Sequence, residues 1–155
     1  MLIDYTLSAD HVHLLRFLHQ PLNPLETTLA TLDQPSSTYA SLIEQSTALI
    51  PTFTLESGET LTNVPVAFKT WGKLNPAGDN VMIICHALTG SADVEDWWGP
   101  LLGPGKAFDP TRYFIFCANV IGSPYGTVSS VTINPETGKK WGPELTGSSV
   151  KDDVR

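Results

Sequence analysis

Basic residues are scarce in this sequence. Nine Lys and Arg residues stand against sixteen Asp and Glu residues, which gives a formal net charge of −7. The basic residues are scattered singly except for the pair Lys139 and Lys140, so no positive stripe is available to neutralise a phosphate backbone. The sequence therefore argues against nucleic acid as a partner.

Cysteines and long apolar runs are also scarce. Cys85 and Cys117 are the only cysteines, and both lie inside apolar runs, which favours two reduced core thiols over a disulfide framework. No apolar run approaches the roughly 18 residues of a membrane helix, and the N-terminus has neither a basic signal-peptide region nor an Arg-rich presequence. We expect a cytoplasmic protein that has no membrane partner.

Two features of a serine hydrolase are missing. No serine lies in a strand-turn-helix nucleophile elbow of the form G-x-S-x-G, because Ser91, Ser123, Ser148 and Ser149 all lack the second glycine. No histidine follows His86, so a catalytic base later in the chain, as hydrolase triads order it, is excluded within these residues.

Residues 1–49 differ in composition from the rest and are predicted to form a loosely structured N-terminal extension. "SADHVHLLRFLHQP" predicts a short helix, and a Ser/Thr-rich linker follows it. Three of the four histidines, His11, His13 and His19, lie in this helix. A metal site is not favoured, since His11 and His13 point to different helix faces and no cysteine or carboxylate spacing completes a ligand set.

Residues 50–155 show the pattern of an α/β sheet. "PTFTLESGETLTNVPVAFKTWGKL" alternates apolar and polar residues around Ser57-Gly58, which predicts an antiparallel hairpin that begins near Pro51. "VMIICHA" and "RYFIFCANV" are continuous apolar runs, typical of parallel strands covered on both faces, and a short helix is predicted between them within 93–102. Hairpin, strand, crossover and strand together indicate an α/β fold with an antiparallel edge.

The segment "HALTGS" follows the first apolar strand, where an open α/β sheet places its ligand crevice. In hydrolase-type sheets the corresponding loop supplies one backbone N–H to the oxyanion hole, and Leu88, Thr89 and Gly90 lie at that position. The alternative is a tight βα turn in which Thr89 or Ser91 caps a helix, and spacing alone favours that turn by about two to one.

Cys85 and His86 do not form a nucleophile and base. Neighbouring residues on a strand point to opposite faces, so the two side chains cannot share a proton. We expect Cys85 in the core and His86 hydrogen-bonded at the end of the strand.

The remaining reactive side chains are given structural interpretations. Three acids, Asp93, Glu95 and Asp96, suit the dipole at the start of a helical turn better than a metal site or an acid/base pair. Two roles stay open for Trp97 and Trp98, the core and a pocket wall. "GSPYGT" after the second apolar strand predicts a pair of turns rather than an anion-binding loop, because the lysine and hydroxyl residue of a phosphate loop are missing.

Five segments stand in an order and at a spacing that point to a known family. They are "TWGKLN", "CHALTGSADV", "WWGPLLGPGKAFD", "INPETG" and "DDVR". Through them the sequence from about Ile50 to Arg155 closely resembles homoserine O-acetyltransferases, specifically the fungal enzymes of methionine biosynthesis. The N-terminal extension is not covered by the resemblance.

The resemblance implies an α/β-hydrolase fold used for acyl transfer. A serine in a nucleophile elbow takes an acetyl group from acetyl-CoA, the co-substrate, and passes it to the hydroxyl of L-homoserine, while an aspartate and a histidine complete the triad. No bound cofactor and no metal are implied. The Leu88 N–H would belong to the oxyanion hole, with Thr89 and Gly90 lining the substrate pocket, so the resemblance favours the oxyanion interpretation over the simple turn.

The resemblance also predicts that the catalytic triad is missing from these residues. In the family, "DDVR" precedes the strand that ends in the nucleophile, so the serine, aspartate and histidine are expected downstream of Arg155. The 155 residues are then an incomplete α/β-hydrolase fold that is inactive alone. The strand "VMIICHA" would lack a neighbour and leave an apolar edge open to pairing.

Two alternatives to this function stay open. The chain could be a non-catalytic interaction fragment whose open edge pairs with the missing half or with an intact acetyltransferase subunit. It could also belong to a family member that acetylates L-serine. The family's dimer contacts are expected beyond Arg155, which predicts a monomer or aggregation.

Overall fold

The computed structural model describes residues 44–154, which form one mixed sheet with two short helices. The elements in chain order are β1 (Ser46–Thr54), β2 (Thr60–Trp71), β3 (Val81–Ile83), α1 (Val94–Trp98), β4 (Phe114–Ala118) and α2 (Val150–Val154). Two 3₁₀ turns lie at Gly99–Leu101 and Gly142–Glu144. The strand order in the sheet is β1-β2-β4-β3. The predicted helix and histidines of the extension lie outside the described residues, so the division at residue 49 stays a prediction.

The predicted hairpin is confirmed. Strands β1 and β2 pair antiparallel, and the connection between them is closed by a hydrogen bond from the Gly58 N–H to the Leu55 carbonyl, 2.8 Å long. Gly58 has a φ of 87°, which only glycine adopts at low cost. The hairpin begins at Ser46 rather than near Pro51, because the long strand β2 continues to offer partners, as in the pair Ser46 and Phe68.

Strand β4 joins the hairpin to the parallel part of the sheet. It pairs antiparallel with β2 through four residue pairs, from Phe68 and Ala118 to Trp71 and Ile115. On its other side it pairs parallel with β3, and α1 lies in the crossover between those two strands. The predicted α/β sheet with an antiparallel edge is therefore confirmed.

Strand β3 is shorter and more exposed than the sequence predicts. Only Val81–Ile83 form the strand, and β3 lies at the edge of the sheet instead of being covered on both faces. In a parallel ladder alternate residues bond to the same neighbour, so the backbone groups of Val81 and Ile83 face the open edge. Ile83 is 63% exposed, so the predicted apolar edge is present among the described residues.

Cys85, predicted in the core, is exposed. The apolar run around it suggested burial, but β3 has no further strand beside it within residues 44–154, so the side chain beyond its end meets solvent. Cys117, in the central strand β4, is fully buried as predicted. Both are free thiols, and burial raises the pKa of Cys117 to about 11.

Two apolar clusters pack against the sheet. Leu55, Leu61, Val64 and Val128 form the first. The second consists of Ile84, Val94, Ile115 and Cys117. Trp98 and Phe108 pack against this second cluster, and their ring centroids are 5.9 Å apart. Burial of each aliphatic side chain contributes about 1.5–3 kcal/mol. None of the helices in the described part of the chain is long and apolar enough to cross a membrane.

Asp109 fixes the loop that precedes β4. Its carboxylate accepts the Gly105 N–H at 2.7 Å, the Thr111 N–H at 2.9 Å and the Thr111 hydroxyl at 2.6 Å. These hydrogen bonds, the one from the Thr111 hydroxyl above all, lower the pKa of Asp109. The ionised form therefore stabilises the loop.

The two thiols are expected to differ in reactivity. At about pH 8, one cysteine of the native chain should react rapidly with a water-soluble thiol reagent, because a buried thiol with a raised pKa is neither accessible nor ionised. Both should react in denaturant. Cys85→Ser should abolish the rapid phase and Cys117→Ser should leave it, as followed by absorbance and by the mass of the modified peptides. A rapid phase that survives in Cys85→Ser would contradict this assignment.

Asp109 should contribute to acid sensitivity. Because its pKa is lower in the folded state, its stabilisation is complete above the unfolded value of about 3.9 and is lost as pH falls through the folded value. Asp109→Asn should lower the free energy of unfolding at neutral pH and make its decline below about pH 4 shallower, as measured by denaturant titration. The exposed Glu144→Gln serves as control, and an unchanged acid slope in Asp109→Asn would refute the prediction.

Candidate functional site

A crevice of about 420 Å³ opens at the carboxyl ends of the parallel strands β3 and β4. One wall is the loop 88–90 after β3, and the other is the loop 120–125 after β4. Open α/β sheets place their ligands at this edge, because the loops that leave adjacent parallel strands diverge there. The sequence-predicted residues Leu88, Thr89 and Gly90 all lie on the first wall.

The loop after β3 is a tight turn. The Gly90 N–H donates to the Ala87 carbonyl at 2.7 Å, which places Leu88 and Thr89 at the two corners. The Leu88 side chain is 99% exposed, and its N–H has no hydrogen-bond partner within residues 44–154. The tight turn and the unpaired donor, which the sequence offered as alternatives, therefore coexist.

Gly90 allows this turn to close tightly. A Cβ at this position would lie 3.1 Å from the Ala87 carbonyl oxygen and 3.5 Å from the Cβ of His86. Any side chain would therefore displace the carbonyl that closes the turn.

His86 lies between the two walls and is hydrogen-bonded, as predicted. Its Nε2 accepts the Val120 N–H at 3.2 Å, across 34 residues of sequence, and its Nδ1 lies 2.7 Å from the Ala87 carbonyl. The ring thus contacts both the turn that contains Leu88 and the start of the loop after β4.

Asn119 connects the segment after Gly90 to the loop after β4. It is buried, its Oδ1 accepts the Ala92 N–H at 2.7 Å, and its Nδ2 donates to the Tyr125 carbonyl at 3.0 Å and to Gln45 Oε1 at 2.9 Å. Sequence reasoning missed this residue. The available signal was an amide at the end of a buried apolar strand, where a polar side chain is tolerated only when it is fully hydrogen-bonded.

Asp153 was also missed. Its Oδ1 accepts the Ile121 N–H at 2.8 Å, so a carboxylate from α2 binds the amide that follows the one bound by His86. Desolvation raises the pKa of Asp153, and the neighbouring Asp152 adds to the effect. In the sequence, Asp153 is recognisable only as part of the motif "DDVR", which indicates no contact for it.

The loop after β4 forms turns, as predicted, and is not an anion cradle. The Gly122 N–H donates to the Val128 carbonyl at 2.8 Å, and the Ser123 N–H donates to the Val120 carbonyl at 3.0 Å. The Ser123 hydroxyl accepts the Tyr125 N–H at 3.3 Å. These amides are already used within the loop and are not available to a ligand.

The acids at the start of α1 have structural partners. Asp93 caps the helix by accepting the Glu95 N–H at 3.1 Å, and its second oxygen accepts a hydrogen bond from Lys69 Nζ at 2.9 Å. The predicted caps Thr89 and Ser91 were therefore wrong, because Ser91 accepts the Asp93 N–H outside the helix. Within residues 44–154, no three His, Cys, Asp or Glu side chains are grouped so that they could hold a metal ion.

The two tryptophans have different roles. Trp98 packs against the second apolar cluster, whereas Trp97 is 62% exposed. Both also line a small cavity of about 50 Å³ together with His86. Each of the two interpretations thus applies in part, with Trp98 in the core and Trp97 on a wall.

The arrangement can stabilise negative charge but does not by itself supply a nucleophile. An unpaired backbone N–H faces no competing partner, whereas the hydroxyls of Ser91 and Ser123 accept backbone N–H groups and are not hydrogen-bonded to a histidine within the described residues. A backbone donor in a fixed turn is suited to an oxyanion.

Comparison with known sequences identifies close relatives. Homoserine O-acetyltransferase from Cryptococcus neoformans var. grubii is 80% identical over 117 residues, which cover 76% of this chain and 22% of the relative. The Saccharomyces cerevisiae homoserine O-acetyltransferase is 63% identical over 106 residues, 68% of this chain and 22% of the relative. The chain thus spans about a fifth of the length of these relatives. No protein-family model matches it.

Solved structures give the same result for the fold. The crystal structure of homoserine O-acetyltransferase from Bacillus anthracis aligns with a TM-score of 0.58 at 28% identity, over 70% of this chain and 33% of that one. Esterase E22 aligns with a TM-score of 0.60 at 28% identity, over 71% of this chain and 34% of that one. The predicted incomplete α/β-hydrolase fold is confirmed. In its sequence and its fold, the chain is similar to part of the homoserine O-acetyltransferases.

Proposed function

We propose that this chain is part of an enzyme that transfers the acetyl group of acetyl-CoA to the hydroxyl of L-homoserine, in the synthesis of methionine. The support is the 80% identity to a relative with that activity in its name. In this proposal the Leu88 N–H is one donor of the oxyanion hole, and Thr89 and Gly90 line the substrate pocket.

The unpaired Leu88 N–H at the crevice is the observation on which the proposed role depends. When a nucleophile attacks the acetyl carbonyl, its oxygen becomes negatively charged. A donor that is already oriented stabilises this charge without reorganisation during the reaction. The Ala87–Gly90 hydrogen bond supplies that orientation, because it fixes the turn in which Leu88 is the first corner.

The nucleophile, the acid and the base of the triad are not among the described residues. In the relatives, we propose, these three groups come from segments that this chain does not match. Residues 44–154 alone would then transfer no acetyl group. No cofactor is required by this chemistry, and acetyl-CoA is a substrate. The cytoplasmic location and association with other parts of the enzyme stay predictions.

The alternative functions have less support. The relatives compared with this chain are named for homoserine rather than serine as acceptor, and none is named as a non-catalytic fragment. We therefore retain L-homoserine as the proposed acceptor.

A chimera tests the proposal. The 117 matched residues of the Cryptococcus relative are replaced by those of this chain, and release of free CoA is followed with L-homoserine or L-serine as acceptor. We expect activity with L-homoserine. A folded chimera that is inactive, or that prefers L-serine, would overturn the proposed function.

Removal of the Leu88 N–H tests its role within that chimera. Leu88→Pro should lower kcat by about 10²–10³-fold, the usual cost of one oxyanion donor, with a smaller change in KM. Leu88→Ala keeps the N–H and changes only an exposed side chain, so it should show a much smaller loss. Thermal unfolding of both variants controls for misfolding. Equal kcat values for the two variants would contradict the assignment.

A further inference from the structure

We propose that His86 is a positioning residue that orients the Leu88 N–H, and that it does so only as a neutral imidazole with its proton on Nδ1. This inference rests on the proposed function, because it concerns the donor assigned there. It adds a residue and a protonation state to that site.

The partners of the ring determine its tautomer. The Val120 N–H is only a donor, so Nε2, 3.2 Å away, must be unprotonated to accept it. The Ala87 carbonyl is only an acceptor, so Nδ1, 2.7 Å away, must have the proton. A neutral Nδ1–H imidazole satisfies both contacts, whereas the Nε2–H tautomer and the imidazolium each place a donor against the Val120 donor.

The contacts of the ring connect it to Leu88. The Ala87 carbonyl accepts two hydrogen bonds, one from His86 Nδ1 and one from the Gly90 N–H that closes the turn. Rotation of this carbonyl would rotate the peptide unit it shares with the Leu88 nitrogen, since the peptide group is planar. His86 therefore determines the direction of the Leu88 N–H through a single peptide plane.

The other contact of the ring sets the distance between the two walls of the crevice. Val120 begins the loop after β4, and its N–H is bound by His86 while the next amide, Ile121, is bound by Asp153. Loss of the Nε2 contact would free the start of this wall from the turn after β3. The position of the donor and the width of the crevice thus depend on one side chain.

Three titratable groups from other elements approach His86. Asp153 on α2 lies close enough that His86 offsets part of the rise in its pKa caused by desolvation, and the buried Cys117 on β4 lies near the His86 backbone. Asp93, at the start of α1, lines the same small cavity and is paired with Lys69.

Nuclear magnetic resonance tests the protonation state without reference to catalysis. In the isotope-labelled 155-residue chain at neutral pH, the His86 nitrogens should show a protonated Nδ1 and an unprotonated Nε2, with a coupling from the Val120 amide to Nε2. The Val120 amide should exchange slowly with solvent, and faster in His86→Ala. A protonated Nε2, or a Val120 amide whose exchange is unaffected by the substitution, would overturn the inference.

A matched pair of variants in the chimera tests the effect on catalysis. His86→Gln places an amide oxygen near the position of Nε2 and can still accept the Val120 N–H, whereas His86→Asn reaches only the position of Nδ1. We expect His86→Asn to lower kcat about 10²-fold, with little change in the KM for L-homoserine, because a misplaced donor affects the transition state most. His86→Gln should recover much of this loss, because its side-chain oxygen can still accept the Val120 N–H.

The two proposals fail in different ways. Equal kcat values for the parent, His86→Gln and His86→Asn would overturn the positioning role while leaving the proposed function intact. A parent chimera that transfers no acetyl group would overturn the proposed function, and with it the catalytic part of this role. The resonance measurement would then still decide the tautomer and the connection of the two loops.

Discussion

The antiparallel pairing of β2 with β4 is the contact on which the rest of the structure depends. Four residue pairs join the N-terminal hairpin to the parallel strands, and they bring together parts of the chain that are far apart in sequence. Pairing β2 with β4 closes the chain between them into a loop, which costs conformational entropy. Burial of the two apolar clusters that pack on the sheet offsets this cost. The pairing also continues beyond β4, since the Asn119 N–H donates to Ala67 and the Val128 N–H donates to Pro65.

This continuation gives the crevice its fixed frame. Asn119 at the end of β4 binds both the segment after Leu88 and the loop that forms the opposite wall. Nearby, His86 accepts a hydrogen bond from the Val120 N–H, and Asp153 accepts one from the next N–H, that of Ile121. Buried polar groups of this kind are costly unless every partner is present, so the network permits few arrangements of the loops. A rigid scaffold with functional residues on its loops is the result.

A backbone donor and a nucleophile leave different traces in a sequence. An oxyanion donor is an N–H that every residue but proline has, so its side chain is free to vary, and Leu88 is exposed almost completely. A nucleophilic serine needs a base and a strained turn, both of which require particular residue types. The proposed donor is of the first kind, and only its position after a parallel strand makes it visible to sequence reasoning.

The sequence by itself determined the order and kind of the elements and the resemblance to homoserine O-acetyltransferases. Alternation around Gly58 specified the hairpin, the apolar run 112–120 specified a buried strand, and five short motifs specified the resemblance, because these signals are local or depend on residue identity alone. The tertiary structure alone decided that Cys85 is exposed, that Asp93 rather than Thr89 or Ser91 caps α1, and that Asn119 and His86 connect the two loops. The cap follows from the residue at which α1 begins. The contacts of Asn119 and His86 span 27 and 34 residues of chain, and the exposure of Cys85 depends on which strand lies beside β3, so periodicity along a single strand contains no information about them.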